Sequence, residues 1–246
     1  MKENTEYILK KEFLVSSADV DFEQKLRYSS LTNYLIQAAW EHAEQLKWGA
    51  DDLIKHNLVW VLAGFTIEMD ELPLWRDTIT IETWPKGLNR LVYLRDFHIY
   101  NSKGACVGRA STNWILIDIT SRRPKVLRTD SEVFEQNLNK HAIPVMATAI
   151  RYATDTEKEV RYITRYSDID LNEHLTTTRY VDLIFDTFSL EEVSEARPKR
   201  LSVSFKKEVK FDSQITISRS VLNKGVRQFQ ISSEDGGCHF IAEIGY

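Results

Sequence analysis

The chain carries the same pattern twice. Asp19-Val-Asp-Phe22 is matched by Asp168-Ile-Asp-Leu171, and Asp77-Thr-Ile-Thr-Ile81 by Asp212-Ser-Gln-Ile-Thr-Ile217. Gly104-Ala-Cys106 with Ala110 is matched by Gly236-Gly-Cys238 with Ala242, at the same spacing. One such match is chance; several in the same order mark a duplicated unit. The fold must therefore accommodate two copies of one element order.

The repeated unit reads as a strand, a helix and an antiparallel meander. The first helix is predicted in SSLTNYLIQAAWEHAEQL (29–46), where Leu31, Tyr34, Leu35, Ala38, Ala39 and Leu46 share a face. The second is predicted in TTTRYVDLIFDTF (176–188), with Tyr180, Val181, Ile184, Phe185 and Phe188 on one side. Runs rich in β-branched and aromatic residues follow each helix: WVLAGFTIEMD, DTITIETWP, RLVYLRDFHIY and CVGRASTNWILID, then LSVSFKKEVKF, QITISRSVL, VRQFQISS and HFIAEIGY. Short turns at Asn101–Gly104, Asn223–Gly225 and Glu234–Gly237 separate them, which implies antiparallel neighbours, because parallel strands need long crossovers. A helix laid on an antiparallel sheet is an α+β layer arrangement. The expected division is a first half over 1–130, a connector over 131–155 with helical character at SEVFEQNLNKH, and a second half over 156–246.

Composition removes several function classes. Lys plus Arg is 32 and Asp plus Glu is 36, a net charge of −4, which argues against a general nucleic-acid binder. No apolar run approaches the roughly 18 residues of a membrane span. The start, MKENTEYILKKEF, is not a signal peptide, and Cys106 and Cys238 lack CxxC spacing, so a reducing, cytoplasmic setting is expected. No phosphate-binding glycine loop or GxSxG elbow is present. The six histidines show no HxxxH or HxH spacing, so neither a metal nor a cofactor is expected.

Asp170, Asn172 and His174 alternate just ahead of the second helix. In an extended segment alternate side chains share a face. A helix start offers free N–H groups, where a developing oxyanion gains roughly 3 kcal/mol per good donor. The same residues also read as an Asx turn with Thr176 or Thr177 capping the helix, and they do not choose between the two. The first half, at Asp21-Phe-Glu-Gln-Lys-Leu26, has no equivalent Asn or His. Glu208 lies in SFKKEVKF. Strict alternation puts Val203, Phe205, Val209 and Phe211 on a core face and Glu208 opposite, either solvated among Lys206, Lys207 and Lys210 or bordering a cleft between the halves. All six tryptophans lie in the first half, as core or as the wall of an apolar tunnel. SRRPKVLR (121–128) and RPKRLSVSFKKEVK (197–210) are strongly basic, suited to solvent or to an acidic partner.

These features resemble the acyl-acyl-carrier-protein thioesterases, double hot dog enzymes that end fatty acid synthesis. NWILIDITSRRPKVL is similar to the segment closing the family's first domain, Asp170-Leu-Asn-Glu-His174 to its Asp-x-Asn-x-His loop, and Phe205-Lys-Lys-Glu-Val209 to its Tyr-Arg-Arg-Glu-Cys strand. The resemblance implies a tandem hot dog, each half a long helix wrapped by a curved antiparallel sheet. It implies Asp170, Asn172, His174 and Glu208 as the catalytic set, and hydrolysis of an acyl thioester by water without a cofactor. Val209 stands where many relatives have Cys, which removes a cysteine nucleophile, and Thr176-Thr177 replace the family's Asn-Asn. The first half is expected to hold a long or medium acyl chain, with Trp40, Trp48 and Trp60 as wall residues. The expected partner is an acyl carrier protein bearing a phosphopantetheine-linked chain, docked by Arg122, Arg123, Lys125 and Arg128. No nucleic acid and no stable membrane insertion are expected, and a homodimer is allowed. The alternatives are a hot dog acyl-CoA thioesterase, an enoyl-thioester hydratase that needs no Glu208, and a non-catalytic acyl-thioester sensor.

Overall fold

The computed structural model describes residues 7–127, 132–135, 137–144, 150, 155–196, 198–223 and 225–246. The first half runs β1 (Leu9–Leu14), α1 (Tyr28–Gln45), α2 (Ala50–Ile54), β2 (Leu58–Met69), β3 (Thr78–Asn89), β4 (Val92–Tyr100), β5 (Cys106–Asp118) and the short β6 (Pro124–Lys125). One turn of helix, α3 (Glu132–Glu135), stands between the halves. The second half runs β7 (Thr156–Ile163), α4 (Thr177–Phe185), α5 (Leu190–Ala196), β8 (Arg200–Phe205), β9 (Gln214–Asn223), β10 (Val226–Ser233) and β11 (Cys238–Gly245).

The strands form one sheet ordered β1-β3-β4-β5-β2-β8-β11-β10-β9-β7, with β6 beside β5. Read inward from either edge, each half presents its first, third, fourth, fifth and second long strand. The duplication seen in the sequence is therefore a duplication of topology. The halves meet where β2 pairs antiparallel with β8, from Gly64↔Ser204 to Glu68↔Arg200. Thr66 faces Ser202 at the middle of this seam, and their hydroxyls lie 3.0 Å apart in a buried hydrogen bond. A pseudo-twofold axis passes through that pair.

Each helix buries its apolar stripe. α1 buries Leu31, Tyr34, Leu35, Ala38 and Ala39, and packs on β1, β3 and α4. α4 buries Tyr180, Val181, Leu183 and Ile184 and contacts β9. It stops at Phe185, short of the expected 188. The Thr187 hydroxyl donates to the Ile184 carbonyl at 2.8 Å and occupies an acceptor that a further helical turn would use. Among the described residues, no helix is long and apolar enough to cross a membrane.

One expected strand is shorter than its pattern. Residues 201–211 alternate, but β8 ends at Phe205. The N–H groups of Lys206 and Lys207 both donate to the His239 carbonyl, at 2.8 and 3.3 Å, which breaks the ladder. Val209 is still buried, but Phe211 is 59% exposed rather than in the core. Glu208 consequently stands on an irregular segment.

The seam leaves no room at Gly64. A Cβ there would lie 2.5 Å from the Val203 carbonyl oxygen, a backbone atom that cannot swing away. Gly64→Ala is expected to cost about 1–3 kcal/mol through forced backbone movement, read as a lower urea midpoint.

Candidate active site

The loop before α4 is a closed turn. Asp170 Oδ1 accepts the N–H groups of Asn172 at 2.8 Å and His174 at 3.3 Å. The Asp170 N–H donates to the His174 carbonyl at 2.8 Å, and that of Glu173 to the Asp170 carbonyl at 3.0 Å. Glu173 takes the left-handed conformation, φ 64°. The N–H of Leu175 donates to the Val209 carbonyl at 2.7 Å and locks the loop onto the segment that carries Glu208. The Asx turn is thus realised. Thr176 occupies the N-cap of α4, but its side chain makes no cap hydrogen bond.

This lock brings two expected site residues together. His174 Nε2 lies 3.2 Å from Glu208 Oε2. Arg122, from the turn between β5 and β6, places Nη2 2.8 and 3.0 Å from the two Glu208 oxygens. Asn172 is exposed on the same turn, while Asp170 spends one oxygen holding it. Tyr180 is buried near this loop. Burial foremost drives its phenol well above the ordinary range; a backbone hydrogen bond to Val209 opposes this, and the charges of Glu208 and Asp170 add to it. It therefore stays un-ionised at neutral pH.

The same loop exists across the pseudo-twofold axis. Asp21 Oδ1 accepts the N–H groups of Glu23 and Lys25, both at 2.9 Å, Gln24 has φ 63°, and the Leu26 N–H donates to the Pro73 carbonyl at 2.8 Å. Superposed by these contacts, Asp21 matches Asp170, Glu23 matches Asn172, Lys25 matches His174 and Leu72 matches Glu208. The frame is duplicated and the chemistry is not. A cavity of ≈ 730 Å³ opens on this counterpart side, lined by Lys25, Leu72, Leu74, Arg179 and Phe185 among others. The charges differ as well. Exposed Lys206 and Lys207 flank the His174 site where exposed Asp70 and Glu71 flank its counterpart.

Residues 6–135 match the acyl-ACP thioesterase N-terminal domain, and residues 151–244 match the acyl-ACP thioesterase C-terminal domain. The chain belongs to the acyl-ACP thioesterase family. It is 24% identical over 225 residues to oleoyl-acyl carrier protein thioesterase 2, chloroplastic, of Arabidopsis thaliana, covering 82% of this chain and 60% of that protein. It is 22% identical to the palmitoyl-acyl carrier protein thioesterase, chloroplastic, of the same plant, over 84% of this chain and 53% of that one. The chain thus spans a little over half the length of these curated relatives. An acyl-ACP thioesterase structure from Bacteroides thetaiotaomicron superposes with a TM-score of 0.91 at 23% identity, covering 100% of this chain and 99% of that one. A 12:0-ACP thioesterase from Umbellularia californica superposes at 0.83, with 19% identity, over 97% and 93% of the two chains. The fold is the double hot dog of acyl-ACP thioesterases.

Within this fold the tryptophans expected at an acyl wall separate. Trp48 is 5% exposed and its ring lies 6.2 Å from that of Trp60, whose indole N–H donates to the Trp48 carbonyl at 2.9 Å. Trp60 and Trp40 line one small cavity of ≈ 40 Å³ with Tyr93, Arg95, Trp114 and Phe134. Trp40 is 53% exposed at its edge. Of the basic residues expected to dock a partner, Arg122, Arg123 and Lys125 are exposed, and Arg128 lies outside the described residues. Sequence reasoning missed Arg122 as a neighbour of Glu208. Its only signal was membership of NWILIDITSRRPKVL, the segment similar to the one closing the family's first domain.

The duplicated loop supplies its own control. Asp170→Ala and Asp21→Ala each free two backbone donors, and each is expected to cost about 1–3 kcal/mol in urea unfolding. Only Asp170→Ala is expected to disturb the His174–Glu208 contact, read as a shift of the His174 imidazole resonances in ¹⁵N NMR.

Proposed function

We propose that the chain hydrolyses the thioester of a long- or medium-chain acyl-acyl-carrier protein, releasing the free fatty acid and ending chain synthesis. The contact between His174 and Glu208, present on one side only of a pseudo-symmetric frame, carries this reading. In it Glu208 is the general base, taking a proton from a water as that water attacks the thioester carbon. His174 orients the carboxylate and the water. Asn172 holds the water or polarises the carbonyl. The backbone N–H groups of Thr177 and Thr178, at the open end of α4, receive the oxyanion. Asp170 is assigned to positioning, because Asp21 makes the same turn where Glu23, Lys25 and Leu72 leave no such chemistry. The tetrahedral intermediate then collapses, the C–S bond breaks, and the departing pantetheine thiolate takes up the proton that Glu208 accepted from water, directly or through solvent, which returns Glu208 to its ionised form.

The first half, taken as residues 1–130, would hold the acyl chain, and residues 156–246 the chemistry, with 131–155 as the link. Each buried methylene contributes up to about 0.8 kcal/mol. The ≈ 40 Å³ cavity beside Trp60 is far smaller than a ten-carbon chain, so the Trp40, Trp60 and Tyr93 side chains must turn aside as the chain enters. The carrier would dock on the face bearing Lys206, Lys207 and Lys210, with Arg123 and Lys125 nearby in sequence to the Arg122 turn.

Thiol release from acyl-carrier proteins of several chain lengths, with matching acyl-CoAs beside them, tests the reading. Wild type is expected to prefer carrier-linked substrates, and Glu208→Ala to lose at least about a hundredfold in kcat. No thiol release from any substrate would overturn it; turnover of an enoyl thioester by Glu208→Ala would favour a hydratase. Lys206→Glu with Lys207→Glu is expected to raise KM for the carrier substrate, most at low salt, and to leave turnover of the uncharged acyl-N-acetylcysteamine unchanged.

A further inference from the structure

We propose that Arg122 is a positioning residue of the first half that holds Glu208 against His174, rather than a carrier-docking residue. The inference rests on the thioesterase reading of the site and goes beyond it in making the first half part of the catalytic geometry.

Glu208 needs such a partner. It stands on the irregular segment after β8 with its side chain 44% exposed, and a free glutamate retains substantial rotamer entropy. Arg122 Nη2 reaches both carboxylate oxygens, at 2.8 and 3.0 Å, while His174 Nε2 approaches Oε2 at 3.2 Å. The three side chains form a row, and the middle one is fixed from both ends.

The presentation of Arg122 is built into its turn. Its backbone has φ 57°, a conformation L-residues adopt at a cost of roughly 1–2 kcal/mol. Its N–H donates to the Asp118 carbonyl at 2.8 Å, and the Asp118 N–H donates to the Arg123 carbonyl at 2.9 Å. Asp118 Oδ1 accepts the Ser121 N–H at 2.7 Å and hydroxyl at 2.8 Å, and Asn57 donates to the Thr120 hydroxyl at 3.0 Å. Five residues thus brace the turn that sends Arg122 across to the second half.

Stability does not explain the pair. An ion pair this exposed contributes about 0–1 kcal/mol. Docking does not explain it either. The phosphopantetheine arm separates the carrier's surface from the thioester, so a residue in contact with Glu208 sits at the thioester end of that arm. Across the pseudo-twofold axis Leu72 replaces Glu208, and the arrangement exists at one site only.

The test uses the full chain with Arg122→Ala and Arg122→Lys. Substrates are acyl-carrier protein and the matching acyl-N-acetylcysteamine, which has neither carrier nor phosphate. Arg122→Ala is expected to lower kcat about 10- to 100-fold on both, as a misplaced catalytic group does, with KM nearly unchanged. Arg122→Lys should restore part of the loss, and Arg122→Ala should add little in a Glu208→Gln background. A raised KM for the carrier substrate alone, or unchanged kcat on both substrates, overturns the proposal. Imidazole ¹⁵N NMR decides it independently of turnover. The His174 Nε2 resonance should move in Arg122→Ala toward its position in Glu208→Gln; a resonance that stays put overturns the proposal even where wild type releases no thiol.

Discussion

The pairing of β2 with β8 is the constraint on which the rest of the molecule depends. It joins two five-strand units into one sheet and sets the pseudo-twofold axis at Thr66 and Ser202. Neither half closes its own inner edge, since β2 and β8 are each other's cover. The close approach at Gly64 shows how little slack the seam has. Because α1 and α4 also touch, a shift at the seam moves both helix starts, and with them both copies of the Asx-turn loop.

On that frame, the two sides differ by a few substitutions. Both halves tie an aspartate to the backbone two and four residues on and pin the next residue to a carbonyl of the neighbouring segment. Asn172, His174 and Glu208 occupy only one of the two frames. Glu23, Lys25 and Leu72 fill the other, where Lys25 pairs with Glu23 at 2.8 Å. The loop belongs to the fold, and the side chains it displays are free to differ.

The sequence made much of this readable, for local reasons. β5 and β10 fall on their predicted spans because β-branched and aromatic runs end at tight turns. The Asp170 loop was legible since an Asx turn is encoded within a few residues. Phe211 was not, because strand alternation continues in the letters after His239 has ended the ladder at Phe205. Arg122 read as part of a basic run that docks the carrier. Its meeting with Glu208 depends on a left-handed residue and on a strand order that places distant segments side by side. The aromatic cluster shows the same divide. Trp40, Trp60, Tyr93 and Phe134 were visible as apolar letters, but only packing reveals that they leave so small a space between them.

The lysines beside Glu208 and the acids in the matching places, Asp70 and Glu71, have a consequence at long range. A pair of identical chains related by a true twofold can carry no electric dipole across the axis, because rotation cancels every perpendicular component. Two unequal halves in one chain are released from that restriction. With lysines on one side and carboxylates on the other, these four residues contribute a dipole component across the axis. Its field reaches about 10 Å at 0.1 M ionic strength. An approaching anion therefore meets this component before any contact is made, and it favours the face with His174 over its counterpart.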